Sequence, residues 1–374
     1  TPPWDGYVPR GAVGAPHIGQ RCEGNSSCTP ICPVQAKYNA LKTLALLDKR
    51  RCTIEAQAVA TTVTLGEDGR VVLLNYKSYD PEGGAVTEKS VRARIFVLAA
   101  HAVENAKIVL ASRMAGQKVV PSTDQVGRNL MDHPYFMTWG LAPMDLGAFR
   151  GPGYTSGIPV FRDGSFREHS AAFRLDMGNW GWNFSAGAPF ADVTTLVGRK
   201  VVGTRLRETL GQTVPRQFRF GFQIEQLPSD SNRVTVSDTY KDAIGNYRPV
   251  ITYDVDDYTY RAMLHGIRIS TAIFERMGVP PDQRFHLEAG YLPTFRELDG
   301  VGLAFFGAGH LAGSHRMGNR GDGSVVDVNQ CCHDHDNLYM VGCGSFPTIA
   351  TANPTLTAAA LAYKAAEAMI QRLA

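Results

Sequence analysis

The feature that most constrains this chain is an uninterrupted apolar run, Ile95-Phe96-Val97-Leu98-Ala99-Ala100, set directly before a stretch of helical periodicity. Such a run lacks polar alternation, so it reads as the end of a strand over 91–100 that is covered on both faces, as in a parallel sheet. Behind it Val103, Ala106, Leu110 and Met114 recur at helical spacing and define one apolar face. A strand followed by a helix predicts one unit of an α/β sheet. Upstream, the segments 59–65 and 71–76 flank Asp68-Gly69, a strong hairpin signal, so residues 53–100 read as β-structure.

From residue 135 to about 300 the pattern changes. This stretch is rich in aromatics, glycine and turn residues, with short strands expected over 217–224 and 233–237. A long helix is expected over 257–277, capped by Asp257 and closed by Gly278 ahead of Pro280. The region reads as an antiparallel, substrate-facing domain of the α+β kind, in which 179–184 and 223–228 are candidates to line a pocket. Residues 301–374 return to α/β character, with a short buried strand over 337–342 and a terminal helix opening at Pro354. Proline suits that position because the first helical N–H has no intrahelical partner. Leu356, Ala359, Tyr363, Ala366, Ile370 and Leu373 mark the expected buried stripe of this helix. The expected division is 1–134, 135–300 and 301–374, and a chain of 374 residues buries a sizeable core without disulfide staples. A net charge of +3 with no Lys/Arg block gives nucleic-acid binding no support. No apolar run reaches the eighteen residues of a transmembrane helix candidate.

Residues suited to chemistry concentrate near the carboxyl end. His310-Leu311-Ala312-Gly313-Ser314 and Arg316-Met317-Gly318 are followed by Val325-Val326-Asp327, Gly342-Cys343-Gly344-Ser345-Phe346-Pro347 and Asn353-Pro354-Thr355. A histidine on a glycine-rich loop can serve as general base near neutral pH, although a lone histidine is more often structural. Asn353-Pro354-Thr355 places free backbone N–H groups and a side-chain amide at a helix start, where they can hold an anion or the electron-rich edge of an aromatic cofactor. In this order the blocks resemble the glucose–methanol–choline (GMC) oxidoreductase family. The resemblance extends upstream through Val126-Gly127-Arg128-Asn129-Leu130-Met131-Asp132-His133-Pro134 and the Phe96 to Ala100 run, with Glu104 and Lys107 beyond it.

The resemblance implies a flavoprotein oxidising a CH–OH group of a sugar or polyol. Its fold is α/β plus α+β: an FAD-binding domain lacking its first βαβ unit, joined to an antiparallel-sheet substrate domain. His310 maps to the family's active-site base and Asn353 to the base's partner, the histidine taking the hydroxyl proton as hydride passes to flavin N5. Gly342 and Cys343 map near the ribityl–phosphate region of FAD. Pro354 and Thr355, with Asn353, map against the isoalloxazine, and Val59, Ala99 and Ala100 near the adenine end. Gly342 stands where many relatives carry an acidic residue, and His101 where a small residue is common. His133 and His315 read as structural side chains.

Seven cysteines occur, and their odd number and scatter argue against a disulfide framework. Cys22, Cys28 and Cys32 fall within eleven residues, the last before Pro33. Three thiolates suffice for a [3Fe–4S] cluster; a buried cysteine cluster or a disulfide loop fits the spacing equally. The segment is similar to the cluster segment in large subunits of bacterial FAD-dependent glucose and fructose dehydrogenases. That likeness implies a [3Fe–4S] cluster, a small subunit and a cytochrome c subunit as partners, and a place in the periplasm or on the periplasmic face of the inner membrane. Cys331-Cys332-His333-Asp334-His335 has the composition of a metal site but falls where the family has a variable turn.

The chain opens on Thr1 and holds no Gly-x-Gly-x-x-Gly between a strand and a helix, the element that grips the ADP part of FAD. The expectation is that this element lies upstream of Thr1. Three readings follow: a dehydrogenase relaying electrons through Cys22, Cys28 and Cys32; a sugar or glycoside oxidase using O₂ without a cluster; or a fragment inactive without its amino-terminal half.

Overall fold

The computed structural model describes residues 36, 38–149, 153–179, 181, 182 and 190–374. Cys22, Cys28 and Cys32, and part of 179–184, lie outside the described residues. The chain divides into two compact units, one of Thr1–Ile54, Tyr135–Gln223 and Tyr260–Phe306, the other of Glu55–Pro134, Ile224–Thr259 and Gly307–Ala374.

In the second unit the expected hairpin forms from Ala58–Leu65 and Val71–Ser78, with Val63 opposite Leu74. Gly69 takes φ 76°, a turn conformation that a side chain would oppose. A third antiparallel strand, Thr87–Val91, extends this sheet and is exposed along its length. The long strand expected over 91–100 is therefore two short ones, and only Phe96–Leu98 belongs to the parallel pair. Its partner is Leu338–Met340, with Phe96 opposite Leu338 and Leu98 opposite Met340. Phe96 and Leu98 are buried, but Val97 is 43% exposed, so this strand is covered on one face rather than two among the described residues.

The helix His101–Met114 follows at once. The expected single apolar face is too narrow: Ala102, Val103, Ala106, Ile108, Val109 and Ala111 are all buried, whereas Met114 is exposed. The helix is enclosed because it packs on the strand Ala58–Leu65 and also meets the strands at 233–241 and 247–252 and the turn at 343–345. Ser112 Oγ accepts the N–H of Val63 at 2.9 Å, and Gln117 Oε1 accepts that of Leu65 at 2.9 Å. Phe96, Leu98, Ala106, Val109, Leu130, Val326, Leu338 and Met340 share one core with Val63. Each Val, Leu, Met or Phe side chain of this set contributes roughly 1.5–3 kcal/mol by leaving water. The hairpin Arg233–Lys241 and Tyr247–Thr252 joins this unit, the Val234 N–H donating to the Gly127 carbonyl at 2.8 Å.

The first unit is built on an antiparallel sheet, as expected for the middle of the chain. Its strand order is Arg284–His286, Pro134–Leu141, Gln217–Ile224, Phe173–Gly178 and Tyr154–Ile158, with Phe306–Gly307 also pairing on Pro134–Leu141. Alternation places Phe136, Phe218, Phe220 and Phe222 on one face. The helix Asp257–Arg276 supplies Phe274, which stacks on Phe220 with ring centroids 5.6 Å apart. Asp256, one residue before the expected cap, is the capping residue: its Oδ1 accepts the Thr259 N–H at 3.0 Å. Gly278, at φ 72°, closes the helix as expected.

The terminal helix Thr355–Leu373 forms with Pro354 at its cap. Its buried face is not the expected one. Leu356, Tyr363 and Ile370 are exposed, while Ala365 is buried and Ala358 and Leu361 pack near Met131, Ala312, Phe346 and Ile349. On an alanine-rich helix two apolar stripes interleave, and the one bearing small residues allows the closer approach.

Candidate active site

The site is assembled in the second unit from a loop at 309–317 and the segments on either side of it. Met131 and Ala312 exchange backbone hydrogen bonds of 3.0 and 2.9 Å. On the other side, the N–H groups of Gly313, His315 and Met317 donate to the carbonyls of Cys343, Gly344 and Ser345. Gly313 takes φ 90°, and a Cβ there would overlap the Asn129 carbonyl oxygen, so the loop's close seating requires glycine.

Asp132 anchors the loop. Its Oδ1 accepts the N–H of His133 at 2.7 Å and that of His310 at 2.8 Å, and its Oδ2 accepts the Gly309 N–H at 3.1 Å. Its own N–H donates to Gln226 Oε1 at 2.9 Å. Burial raises the Asp132 pKa, and the backbone donors and His310 pull the other way.

Above this anchor His310 stands between two side chains. Its Nδ1 lies 2.9 Å from Nδ1 of His133, and the rings meet edge to face at 86°. Its Nε2 lies 3.3 Å from Nδ2 of Asn353. Thus the structure brings together His310 and Asn353, the two residues singled out from sequence. It adds His133, which is fully buried and holds the Ala350 carbonyl oxygen 3.1 Å from its Nε2. Ala350 has φ 55°, a left-handed conformation for a residue with a side chain. Burial lowers the pKa of His310, opposed by the charge of Asp132. Burial first, and repulsion from His310 second, push His133 down to about 4. Both imidazoles are therefore neutral near pH 7.

A second set of expected residues lies where the parallel strands end. Phe96–Leu98 runs into exposed Ala99 and Ala100, and Leu338–Met340 runs into Gly342 and Cys343. Asn105, fully buried, ties the two ends together. Its Nδ2 donates to the carbonyls of Leu98 at 3.0 Å and Val341 at 3.1 Å, and its Oδ1 accepts the Ala100 N–H at 2.8 Å. Val59 is the second residue of the hairpin's first strand; because Val63 and Leu65 bond to Ser112 and Gln117 in turn, strand and helix run in the same sense and Val59 lies toward the helix's amino-terminal end.

These residues fit a flavin nucleotide in three respects. Ligands of parallel sheets bind beyond the carboxyl ends of the strands, where Ala99, Ala100 and Gly342 leave the backbone accessible. Gly342 has φ 99°, and a Cβ there would meet nothing within 4 Å. The helix starting at Thr355 carries no side-chain cap, so its first N–H groups are available to an electron-rich ligand, whereas in the helix starting at His101 the Val103 N–H is taken by His101 Nδ1 at 3.4 Å.

His315, expected to be structural, is completely buried, and burial pushes it down to about 3. A Cβ on Gly344 would overlap its ring. In the Cys331 to His335 stretch the donor atoms are engaged structurally: Nδ1 of His335 faces the Gly69 carbonyl at 2.7 Å, its Nε2 accepts the Val120 N–H at 2.9 Å, and His333 Nε2 meets Ser324 Oγ at 2.9 Å. Asp132 lies inside the Val126 to Pro134 block and Asn105 carries no sequence signal; neither a lone Asp nor a lone Asn announces its backbone partners.

Comparison with known proteins adds a likeness of sequence and of fold. Residues 228–362 match the sequence profile described as GMC oxidoreductase. Over 373 residues the chain is 31% identical to the fructose dehydrogenase large subunit of Gluconobacter japonicus, covering 98% of this chain and 63% of that protein. It is 26% identical to paromamine 6′-oxidase of Streptomyces fradiae, covering 93% of this chain and 58% of that protein. The chain thus spans less than two thirds of the length of these relatives. The crystal structure of pyridoxine 4-oxidase from Mesorbium loti matches with a TM-score of 0.53 at 17% identity, over 83% of this chain and 56% of that one, a likeness of fold alone. Residues 228–362 are thus a GMC oxidoreductase domain, and the likeness to proteins of that kind runs along the chain.

Proposed function

We propose that the chain serves the FAD-dependent oxidation of a hydroxyl group on a sugar or polyol, with His310 as general base and Asn353 as its partner. The observation that carries this reading is the 3.3 Å approach of Asn353 Nδ2 to His310 Nε2, from two separate loops. A substrate oxygen seated beside that contact can give its proton to Nε2 while the Asn353 amide holds and orients it. General-base assistance of this kind contributes roughly 10²–10⁴-fold. When bound, FAD supplies the acceptor for the hydride leaving the carbinol carbon. In the same reading Val59, Ala99 and Ala100 adjoin the adenine end, Gly342 and Cys343 the ribityl–phosphate, and Pro354 and Thr355 the ring system.

A sugar substrate is favoured because the relative aligned along 98% of the chain is named for fructose. The words "large subunit" in that name support an assembly with further subunits. We assign electron transfer to a [3Fe–4S] cluster on Cys22, Cys28 and Cys32, passing electrons to a cytochrome c subunit or another acceptor, at the periplasmic face of the inner membrane. Among the described residues no helix is long and apolar enough to cross a membrane. The likeness to paromamine 6′-oxidase favours a second reading, an oxidase that uses O₂ without a cluster.

Purified protein assayed for iron and flavin, then offered a panel of sugars with a dye or with O₂ as acceptor, separates these readings. Flavin, iron at cluster stoichiometry and dye reduction support the dehydrogenase. Peroxide formation without iron supports the oxidase. Retained flavin with no oxidation of any hydroxylated substrate sinks both.

A further inference from the structure

We infer that His133 is a positioning residue that sets the tautomer of His310, keeping the proton on Nδ1 and leaving Nε2 as the free lone pair that faces Asn353. The inference rests on the reading of His310 as general base and adds how that base is prepared.

The chain of bonds determines every proton. A carbonyl oxygen only accepts, so His133 Nε2, 3.1 Å from the Ala350 oxygen, must carry a hydrogen. His133 is fully buried and neutral, so its other nitrogen, Nδ1, is bare and can only accept. The group 2.9 Å from it is His310 Nδ1, which must therefore donate. Neutral His310 holds a single ring hydrogen, now on Nδ1, and its Nε2 is left unprotonated. Asn353 Nδ2, 3.3 Å away, is an N–H donor and suits a bare nitrogen there. Protonating Nε2 instead would set two donors against each other at Asn353 and two bare nitrogens against each other at His133.

The other ionisable group at hand does not compete for this role. Asp132 faces both histidines through their backbone, and its two oxygens accept the N–H groups of His133, Gly309 and His310. Neither imidazole is hydrogen-bonded to that carboxylate. The orienting acceptor for the base is therefore a neutral ring, which fixes the tautomer while leaving His310 without a carboxylate on Nδ1 to hold it protonated.

The test is histidine-selective ¹⁵N nuclear magnetic resonance on the full chain near pH 7, with His310→Gln used to assign the signal. Neither flavin nor substrate is needed. The expected spectrum shows His310 Nδ1 protonated and Nε2 unprotonated, with the reverse pattern in His133. His133→Phe keeps a ring but removes the acceptor, and His310 should then redistribute toward the Nε2–H form. His133→Asn places a side-chain oxygen near the former Nδ1 position and should preserve the Nδ1–H form even though the bond to Ala350 is lost. In enzyme loaded with FAD, kcat should fall roughly ten-fold or more in His133→Phe, recover in part in His133→Asn, and leave KM nearly unchanged. A wild-type His310 protonated on Nε2 overturns the inference, as does a switch to that form in His133→Asn; the latter variant carries the test should His133→Phe fail to fold. If His310→Gln oxidises sugars at the wild-type rate while the tautomer is as stated, the catalytic reading falls and the tautomer assignment stands.

Discussion

Asp132 Oδ1 accepts the backbone N–H of His310 at 2.8 Å, so the carboxylate beneath the candidate base holds its main chain rather than its ring. Removing that acceptor frees three backbone N–H groups at once, those of His133, Gly309 and His310. Asp132→Ala should shift His310 relative to Asn353. Displacement of a reacting group by about 1 Å costs on the order of 10²-fold in rate. Steady-state kinetics of the FAD-loaded variant should show that loss chiefly in kcat, and an unchanged kcat would show that the loop holds its place without this anchor.

The protonation state of His310 predicts the acid side of the pH profile. Burial lowers its pKa below the ordinary imidazole value, and the Asp132 charge partly restores it. A base works only when unprotonated, so kcat/KM should rise with pH through a midpoint below that of a free histidine and then stay flat. Asp132→Asn removes the restoring charge and should move the midpoint to lower pH. A midpoint that moves upward, read from initial rates across the acid range, contradicts the assignment.

Stability at low pH should be limited by buried neutral imidazoles. His315 is held at about 3 by complete burial, against roughly 6.5 for an unfolded histidine. A folded-state value below the unfolded one means that the unfolded chain binds more protons between those limits, so stability falls as pH drops from about 6.5 toward 3. At pH 5 this one residue accounts for a loss of ~2 kcal/mol relative to pH 7. Urea denaturation of wild type and His315→Leu at the two pH values measures the difference, which should shrink in the variant.

Asn105 is expected to matter to stability out of proportion to its size. Asn105→Leu strips the side-chain partner from the Ala100 N–H and from the Val341 carbonyl, while the Leu98 carbonyl keeps the Val341 N–H. Losses of 1–3 kcal/mol per buried unsatisfied group make a total of about 3 kcal/mol a reasonable expectation. Chemical denaturation should show it, together with weakened FAD retention if the strand ends do hold the nucleotide.

Much of the site was legible in the sequence because its residues sit in short, ordered blocks whose chemistry is local. The loop bearing His310 and the helix start bearing Asn353 are of that kind, and so is the Asp68-Gly69 hairpin. What escaped was set by partners distant along the chain. Val97 reads as buried because apolar runs usually are, yet among the described residues only one face of its strand is covered. The terminal helix offers two apolar stripes, and only packing by Ala358, Leu361 and Ala365 decides between them. His133 lies 177 positions from His310, and no spacing rule joins two histidines so far apart. Asp256 and Asp257 both suit a helix start, and only the structure shows that Asp256 caps it, a one-residue choice that pattern alone does not resolve.

The most direct test of the central claim is the reductive half-reaction of FAD-loaded enzyme mixed anaerobically with a sugar substrate, comparing wild type with His310→Gln. Loss of the base should slow bleaching of the flavin absorbance by roughly 10²–10⁴-fold while FAD remains bound. Bleaching at the wild-type rate in the variant would show that His310 does not take the substrate proton.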